Sequence, residues 1–213
     1  MNDATPYNPL AKHNLGISVA DALLARTPVP LGKLPIFKGA GIYAIYYSGP
    51  FPAYNAIAKR NDGGKCEWPI YVGKAIPAGA RKGNVGLSED AGPVLFKRLS
   101  EHAESVRLAQ NLDIKDFDCR YLVVDDIWIP LGESLLIANL SPLWNKLIDG
   151  FGNHDPGAGR YEGKRPRWDV LHPGRAWALK CKDRAETADQ ISEETRNHLQ
   201  TAPLPPKPKV TLS

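Results

Sequence analysis

Cysteine is scarce in this chain. The three residues, Cys66, Cys119 and Cys181, stand far apart and form no C-x2-C pair. That spacing argues against a zinc ribbon and against a disulfide framework, and it fits reduced thiols. Long apolar runs are also missing. No stretch approaches the 18 residues of a membrane span, so no membrane partner is expected. The first residues, Met1 to Pro6, have neither a basic segment nor an apolar one. They do not read as a signal peptide, and a cytoplasmic location is expected. Neither sign of charge dominates: 27 Lys and Arg stand against 23 Asp and Glu, giving +4 and a pI of about 8.9. A mildly basic balance is compatible with a polyanionic partner without proving one. No internal repeat is present. The glycine-rich stretch 150–159 is no P-loop, because no Gly-Lys-Ser/Thr follows it.

What is present is enough for a core. The 213 residues are 43% hydrophobic, which fits one domain of ordinary size. Residues 1–38 read as a polar arm followed by a short helix from Ser18 to about Arg26, capped by Ser18 and Asp21. Pro28, Pro30 and Pro35 then impose an extended connection. Gly41 to Tyr47 and Trp68 to Lys74 read as strands by their β-branched and aromatic content. The excursion 48–67 between them, rich in Gly, Pro, Asn and Asp, reads as loop. So does 75–92, which carries Arg81 and Lys82.

Pro93 suits the start of a helix. Leu95, Phe96, Leu99, Ala103 and Val106 give that helix an apolar stripe. Cys119 to Asp126 reads as a third strand, and Glu133 to Leu140 as a second good helix halted near Pro142. Residues 160–184 hold eight basic residues and three acidic ones. Residues 186–200 read as a last helix, and the proline-rich tail after 201 as disordered. The expected fold is α+β: a small three-stranded antiparallel sheet flanked by helices. It spans residues 39–150, with long loop insertions and a basic extension over 151–200.

Two strings carry most of the functional information: Gly41-Ile42-Tyr43 and Tyr71-Val72-Gly73. Each puts a phenol beside a glycine in a strand, where another backbone can come close. Arg98 and His102 lie one helical turn apart and project from one face. Each residue has a plain alternative. A strand tyrosine packs, and a helical Arg or His faces water. A helical glutamate favours the helix dipole, an asparagine caps a turn, and Lys74 ends a strand in solvent. Trp144 and Trp168 read as core, and His154 and His172 as turn residues, with His154 also able to reach DNA. It is the joint order that outweighs the plain readings: two tyrosine motifs, Arg-x3-His, then Glu133, then Asn145.

That order resembles the GIY-YIG nuclease superfamily. Its family pattern matches Arg98 and His102 to the helix bearing a catalytic arginine, Glu133 to the single metal-binding glutamate, and Asn145 to a polar residue that follows it. The strings Leu143 to His154, Pro156 to Arg160, Trp168 to Val170 and His172 to Arg175 are similar to the type II restriction endonucleases of that superfamily, in particular a branch cutting CCGCGG. Here residues 44–70 separate the tyrosine motifs, a longer interval than is usual in the superfamily.

The resemblance implies a homodimer that hydrolyses double-stranded DNA at a short G·C-rich palindrome, leaving 5′-phosphate and 3′-hydroxyl ends. A DNA methyltransferase would be its genetic partner only. It implies one Mg²⁺ per site on Glu133, with Mn²⁺ able to substitute. Tyr43 is then the general base, its phenol tuned by Lys74, Arg98 or His102. Arg98 suits the phosphate oxygens, Tyr71 the water or phosphate, and Asn145 a ligand in the same cleft. Arg81, Lys82, His154, Arg160, Lys164, Arg165, Arg167 and Arg175 are the expected DNA contacts. Two other readings stay open: a non-cutting DNA-binding module, and a repair or structure-specific nuclease. The D-x6-E-x-K string of Asp155, Glu162 and Lys164 lies in a flexible Gly/Pro context and is a weak rival.

Overall fold

The computed structural model describes residues 8, 10–77, 91–157 and 161–202. Residues 78–90 of the expected loop 75–92, with Arg81 and Lys82, lie outside them, as do Arg160, residues 1–7 and 9 of the N-terminal arm, and the proline-rich tail from 203. Among the described residues the sheet has four strands: β1 (Val29–Pro30), β2 (Gly41–Tyr47), β3 (Pro69–Ala75) and β4 (Phe117–Val123). Their order is β1-β4-β2-β3, and every pairing is antiparallel. The strand not anticipated is β1. Two residues, one of them proline, leave no alternation to read, and tertiary pairing with Cys119 and Asp118 defines the strand.

Every residue of β2 is buried, as a central strand covered on both faces requires. Alternation splits it between two clusters. Tyr43, Ile45 and Tyr47 face one, with α3 (Val94–Leu108), α5 (Leu143–Lys146), α6 (Arg167–Leu171) and α7 (Ala188–Thr201). Ile42, Ala44 and Tyr46 face the other, with α1 (Lys12–Leu24) and α4 (Ile129–Leu140). Trp168, Leu171, Ile191 and Leu199 share the first cluster with Trp144 and Tyr43, so α6 and α7 of the expected C-terminal extension are packed into the same core as the strands.

Three helix readings change. α1 starts at Lys12, not Ser18, and no side chain caps it. What fixes it is packing: its Gly16 faces Leu131, and its Val19 lies against Gly132 of α4, where a Cβ would come within 2.7 Å of that valine. The supposed loop 48–67 contains α2 (Asn55–Asn61). Tyr54, Ile57, Ala58 and Asn61 are its buried face at i, i+3, i+4, i+7, a pattern masked by the polar residues around it. α4 begins four residues before Glu133, so that glutamate lies in the second turn and not at the positive end of the helix. α4 stops at Ser141, which takes a left-handed φ of 41°.

Candidate active site

The two glycines of the tyrosine motifs are there for contact. Gly41 pairs with Val123 across the sheet, and a Cβ on it would fall on the Leu122 carbonyl. Gly73 pairs with Tyr43, and the Tyr43 ring lies across it so closely that a Cβ would meet the phenol Cζ at 2.6 Å. The second motif therefore ends in glycine because the tyrosine of the first motif occupies the space of its side chain.

Tyr43 is fully buried. Its hydroxyl oxygen lies 2.6 Å from His102 Nε2. The Tyr71 ring stands 6.3 Å from that of Tyr43 and 5.2 Å from the imidazole. Burial raises the Tyr43 phenol well above its ordinary pKa, with Tyr71 adding to the rise and Arg98 opposing it. Burial raises Tyr71 as well, again opposed by Arg98. Burial pushes His102 the other way, well below its usual range, and the charges of Arg98, His154 and Arg175 reinforce that. At neutral pH the pair is thus a phenol beside a neutral imidazole, and a neutral imidazole can accept a proton at Nε2.

Arg98 comes from α3 one turn before His102. Its Nη1 donates to Glu101 Oε2 at 3.0 Å and also contacts His154 Nε2, and its Nη2 donates to the Gly152 carbonyl at 2.7 Å. A cleft of about 220 Å³ opens here, lined by Arg98, His102, Glu101, Phe151, Asn153 and His154, among others. Around the edge strand β3, Lys74 pairs with Glu133 of α4, Nζ to Oε2, at 2.6 Å. Gly132, immediately before Glu133, lets α4 settle on Ile42 of β2. The Glu133 carboxylate is close enough to raise both phenols electrostatically. Tyr43, Tyr71, Arg98 and His102 therefore share one face of the sheet, and the Lys74–Glu133 pair lies on its other face across β3, near enough for Glu133 to act on both phenols.

Asn145 does something other than expected. Its Oδ1 accepts from the Val72 N–H and its Nδ2 donates to the Val72 carbonyl, each at 2.8 Å. The amide therefore clamps the strand carrying Tyr71 and Gly73, leaving one N–H and one lone pair unused.

The basic segment also needs correction. Arg175 is 3% exposed and forms a bidentate pair with Asp169, Nε to Oδ1 at 2.7 Å and Nη2 to Oδ2 at 2.5 Å, so it cannot reach DNA. Arg167 is held by Glu186, Glu194 and the Leu147 carbonyl. Arg165 donates to the Ala178 carbonyl and pairs with Asp183. These arginines brace the C-terminal segment. Lys164 and His154 stay exposed, and only His154 adjoins the tyrosine cluster.

His172 is not a turn residue at the surface. It is buried, with Nε2 2.6 Å from the Tyr54 hydroxyl and Nδ1 2.8 Å from Asn111 Oδ1. The Tyr54 oxygen also accepts from Trp144 Nε1 at 3.0 Å. Burial lowers His172 to a pKa of about 3. Sequence reasoning missed this second Tyr–His pair, whose partners are 118 residues apart. It also missed Phe151 and Gly152, whose place beside His102 and Arg98 is set by a loop without periodicity.

Among the described residues no group of three or more His, Cys, Asp or Glu side chains is placed to hold a metal. A single carboxylate such as Glu133 fits Mg²⁺, which keeps several waters and takes few protein ligands beside a substrate phosphate. It does not fit a zinc site. No described helix is long and apolar enough to cross a membrane. A family model described as the Eco29kI GIY-YIG domain matches residues 35–199, well over half of the chain. Comparison with curated proteins gives no match.

Proposed function

The chain belongs to the Eco29kI GIY-YIG family of type II restriction endonucleases, and from that premise we propose that it cuts both strands of duplex DNA at a short G·C-rich palindrome, with CCGCGG, the site Eco29kI recognises, the first to test. The observation that carries the reading is the Tyr43–His102 hydrogen bond with Arg98, Tyr71 and the Glu133–Lys74 pair around it. A phosphodiester repels nucleophiles and has a poor leaving group. Its hydrolysis needs a positioned water, an acceptor for the water's proton, and positive charge on the phosphate.

Tyr43 takes the proton from the attacking water as its own hydroxyl proton passes to His102 Nε2. Burial opposes a standing tyrosinate and leaves His102 neutral with Nε2 open to a proton; the same burial weakens His102 as a base, so the transfer rests on the 2.6 Å Tyr43–His102 contact and on its being concerted with attack by the water. Arg98, kept in place by the Gly152 carbonyl, offers the rest of its planar fork to the phosphate oxygens. Tyr71, on the same sheet face, orients the water or the phosphate. Glu133 would hold one Mg²⁺ after release from Lys74, and the metal when bound supplies stabilisation of the 3′ leaving oxygen. One such site cuts one strand, so a palindrome calls for two protomers about a two-fold axis.

The test is digestion of a plasmid bearing CCGCGG with Mg²⁺, followed by sequencing of the ends. Discrete double-strand breaks at one palindrome support the reading. Retention of the DNA in a gel shift with no cut under any divalent metal would instead mark a DNA-binding module.

A further inference from the structure

The C-terminal segment was expected to reach DNA with its arginines, yet the most buried of them, Arg175, points at the active site from behind. Its guanidinium lies over two indoles, 4.5 Å from the Trp168 ring centre and 4.8 Å from that of Trp177. Asp169 takes two of its N–H groups. Beyond that pair, Nη1 donates to the carbonyls of Phe151 at 3.2 Å and Asn153 at 3.1 Å, and Nη2 to that of Gly150 at 2.9 Å. One side chain thus gathers three carbonyls of a four-residue loop. Taking a charge out of water is costly and must be offset by hydrogen bonds, and here all five N–H groups of the guanidinium are engaged, which ties the loop to one shape.

That loop touches two members of the tyrosine cluster. The Phe151 ring stacks on the His102 imidazole, centroids 4.6 Å apart and planes 17° apart, and stands edge-on to Tyr71 at 5.0 Å. The Gly152 carbonyl receives Arg98 Nη2, and the next but one residue, His154, meets Arg98 Nη1. A Cβ on Gly152 would lie 2.6 Å from the Tyr71 hydroxyl and 3.3 Å from Arg98 Nη2. The loop therefore sits against the imidazole on one side and the guanidinium on the other.

We propose that Arg175 is a positioning residue for DNA cleavage: through the carbonyls of Gly150, Phe151 and Asn153 it fixes the loop that holds the His102 ring and the Arg98 fork in register with Tyr43. This rests on the nuclease reading, because it assigns Arg175 to the step in which the Tyr43 proton passes to His102. Arg175 makes no contact with Tyr43 or His102 and holds them through the loop; its charge also acts on His102 directly, a contribution that Arg175→Lys keeps.

The test compares the full-length wild-type protein with Arg175→Lys and Phe151→Leu. Three quantities are read: single-turnover cleavage of a duplex bearing the cognate site, the Kd for that duplex in Ca²⁺, and the ¹H–¹⁵N imidazole signals of His102. Lysine keeps the charge of Arg175 but cannot span three carbonyls and a carboxylate. Both variants should cut at least about 10-fold more slowly while Kd changes less than about 3-fold, since only the alignment of reacting groups is loosened. The His102 signals should pass from one tautomer to a mixture. Cleavage at the wild-type rate with an unchanged His102 spectrum in both folded variants overturns the proposal. If Arg175→Lys does not fold, Phe151→Leu decides: a slow but folded enzyme with a mixed His102 spectrum supports the loop's role, and a wild-type rate with an unchanged spectrum ends it. Failure of the wild-type protein itself to cut DNA strikes the nuclease reading, and the His102 spectra then still report whether Arg175 orders the imidazole.

Discussion

Tyr43 owes its position to what is missing next to it. Gly73 leaves room for the phenol ring, and His102 receives the hydroxyl. Gly73→Ala should therefore displace the ring. It is expected to lower the cleavage rate by about 10²-fold or more, comparable to losing a preorganised catalytic partner, which single-turnover assays would register. Tyr43→Phe keeps the ring and removes the oxygen. It should retain DNA affinity in a gel shift and abolish cutting, and normal turnover would exclude Tyr43 as the base. Glu133→Gln removes the carboxylate charge but keeps the shape. It should bind the duplex and fail to cut, and it should also free Lys74 from its 2.6 Å pair. Arg98→Ala should slow cleavage by about 10²-fold.

At the scale of elements, β3 is the edge of the described sheet and carries Tyr71, Gly73 and Lys74. Its outer backbone is held at Val72 by Asn145 on α5. Asn145→Ala leaves a buried N–H and carbonyl without partners. It should destabilise the fold by about 1–3 kcal/mol in urea melts and slow cleavage in proportion to the loosening of β3. Asn145→Asp keeps one acceptor and should restore less than half of that loss.

This element also shows what the sequence could and could not disclose. Strands β2 and β3 were readable because their residues alternate or are continuously apolar, and α3 because its stripe repeats with the helical period. The order of tyrosines, arginine, histidine and glutamate was readable because the first four lie on those elements and Glu133 on α4, whose C-terminal half also reads as helix. The reach of Asn145 was not, because a short α5 can turn the amide toward a ligand or toward a strand with no change in composition. The arginines of the C-terminal segment misled for a similar reason: a count of charges is the same for a side chain facing water and for one closed in by Asp169 and three carbonyls. α2 was hidden because a helix with one narrow buried face resembles a polar loop.

Across the whole molecule, two buried Tyr–His pairs flank the aromatic cluster formed by Trp144, Phe151 and Trp168. Both histidines are held neutral by burial, His172 at about 3 and His102 well below its usual range. Their folded-state pKa values lie below the unfolded value of about 6.5. The unfolded chain therefore binds more protons as pH falls through 6.5, and stability falls with it. At about pH 5 the loss should be on the order of 2 kcal/mol for His172, with His102 adding in the same direction. Denaturant melts near pH 7.5 and pH 5 would check the slope, and His172→Gln should flatten it. The same chain is expected to pair with a second copy on DNA, and sedimentation with a cognate duplex should give two protomers per site.

The most direct measurement is digestion of a CCGCGG plasmid by the wild-type protein and by Tyr43→Phe and Glu133→Gln side by side, with Mg²⁺ and with chelator, followed by end sequencing. The predicted result is breaks at one palindrome with 5′-phosphate ends from the wild type in Mg²⁺ alone, and none from either variant despite intact binding. Cutting by either variant at the wild-type rate, or wild-type cutting in chelator, would contradict an active site built on that phenol and that carboxylate.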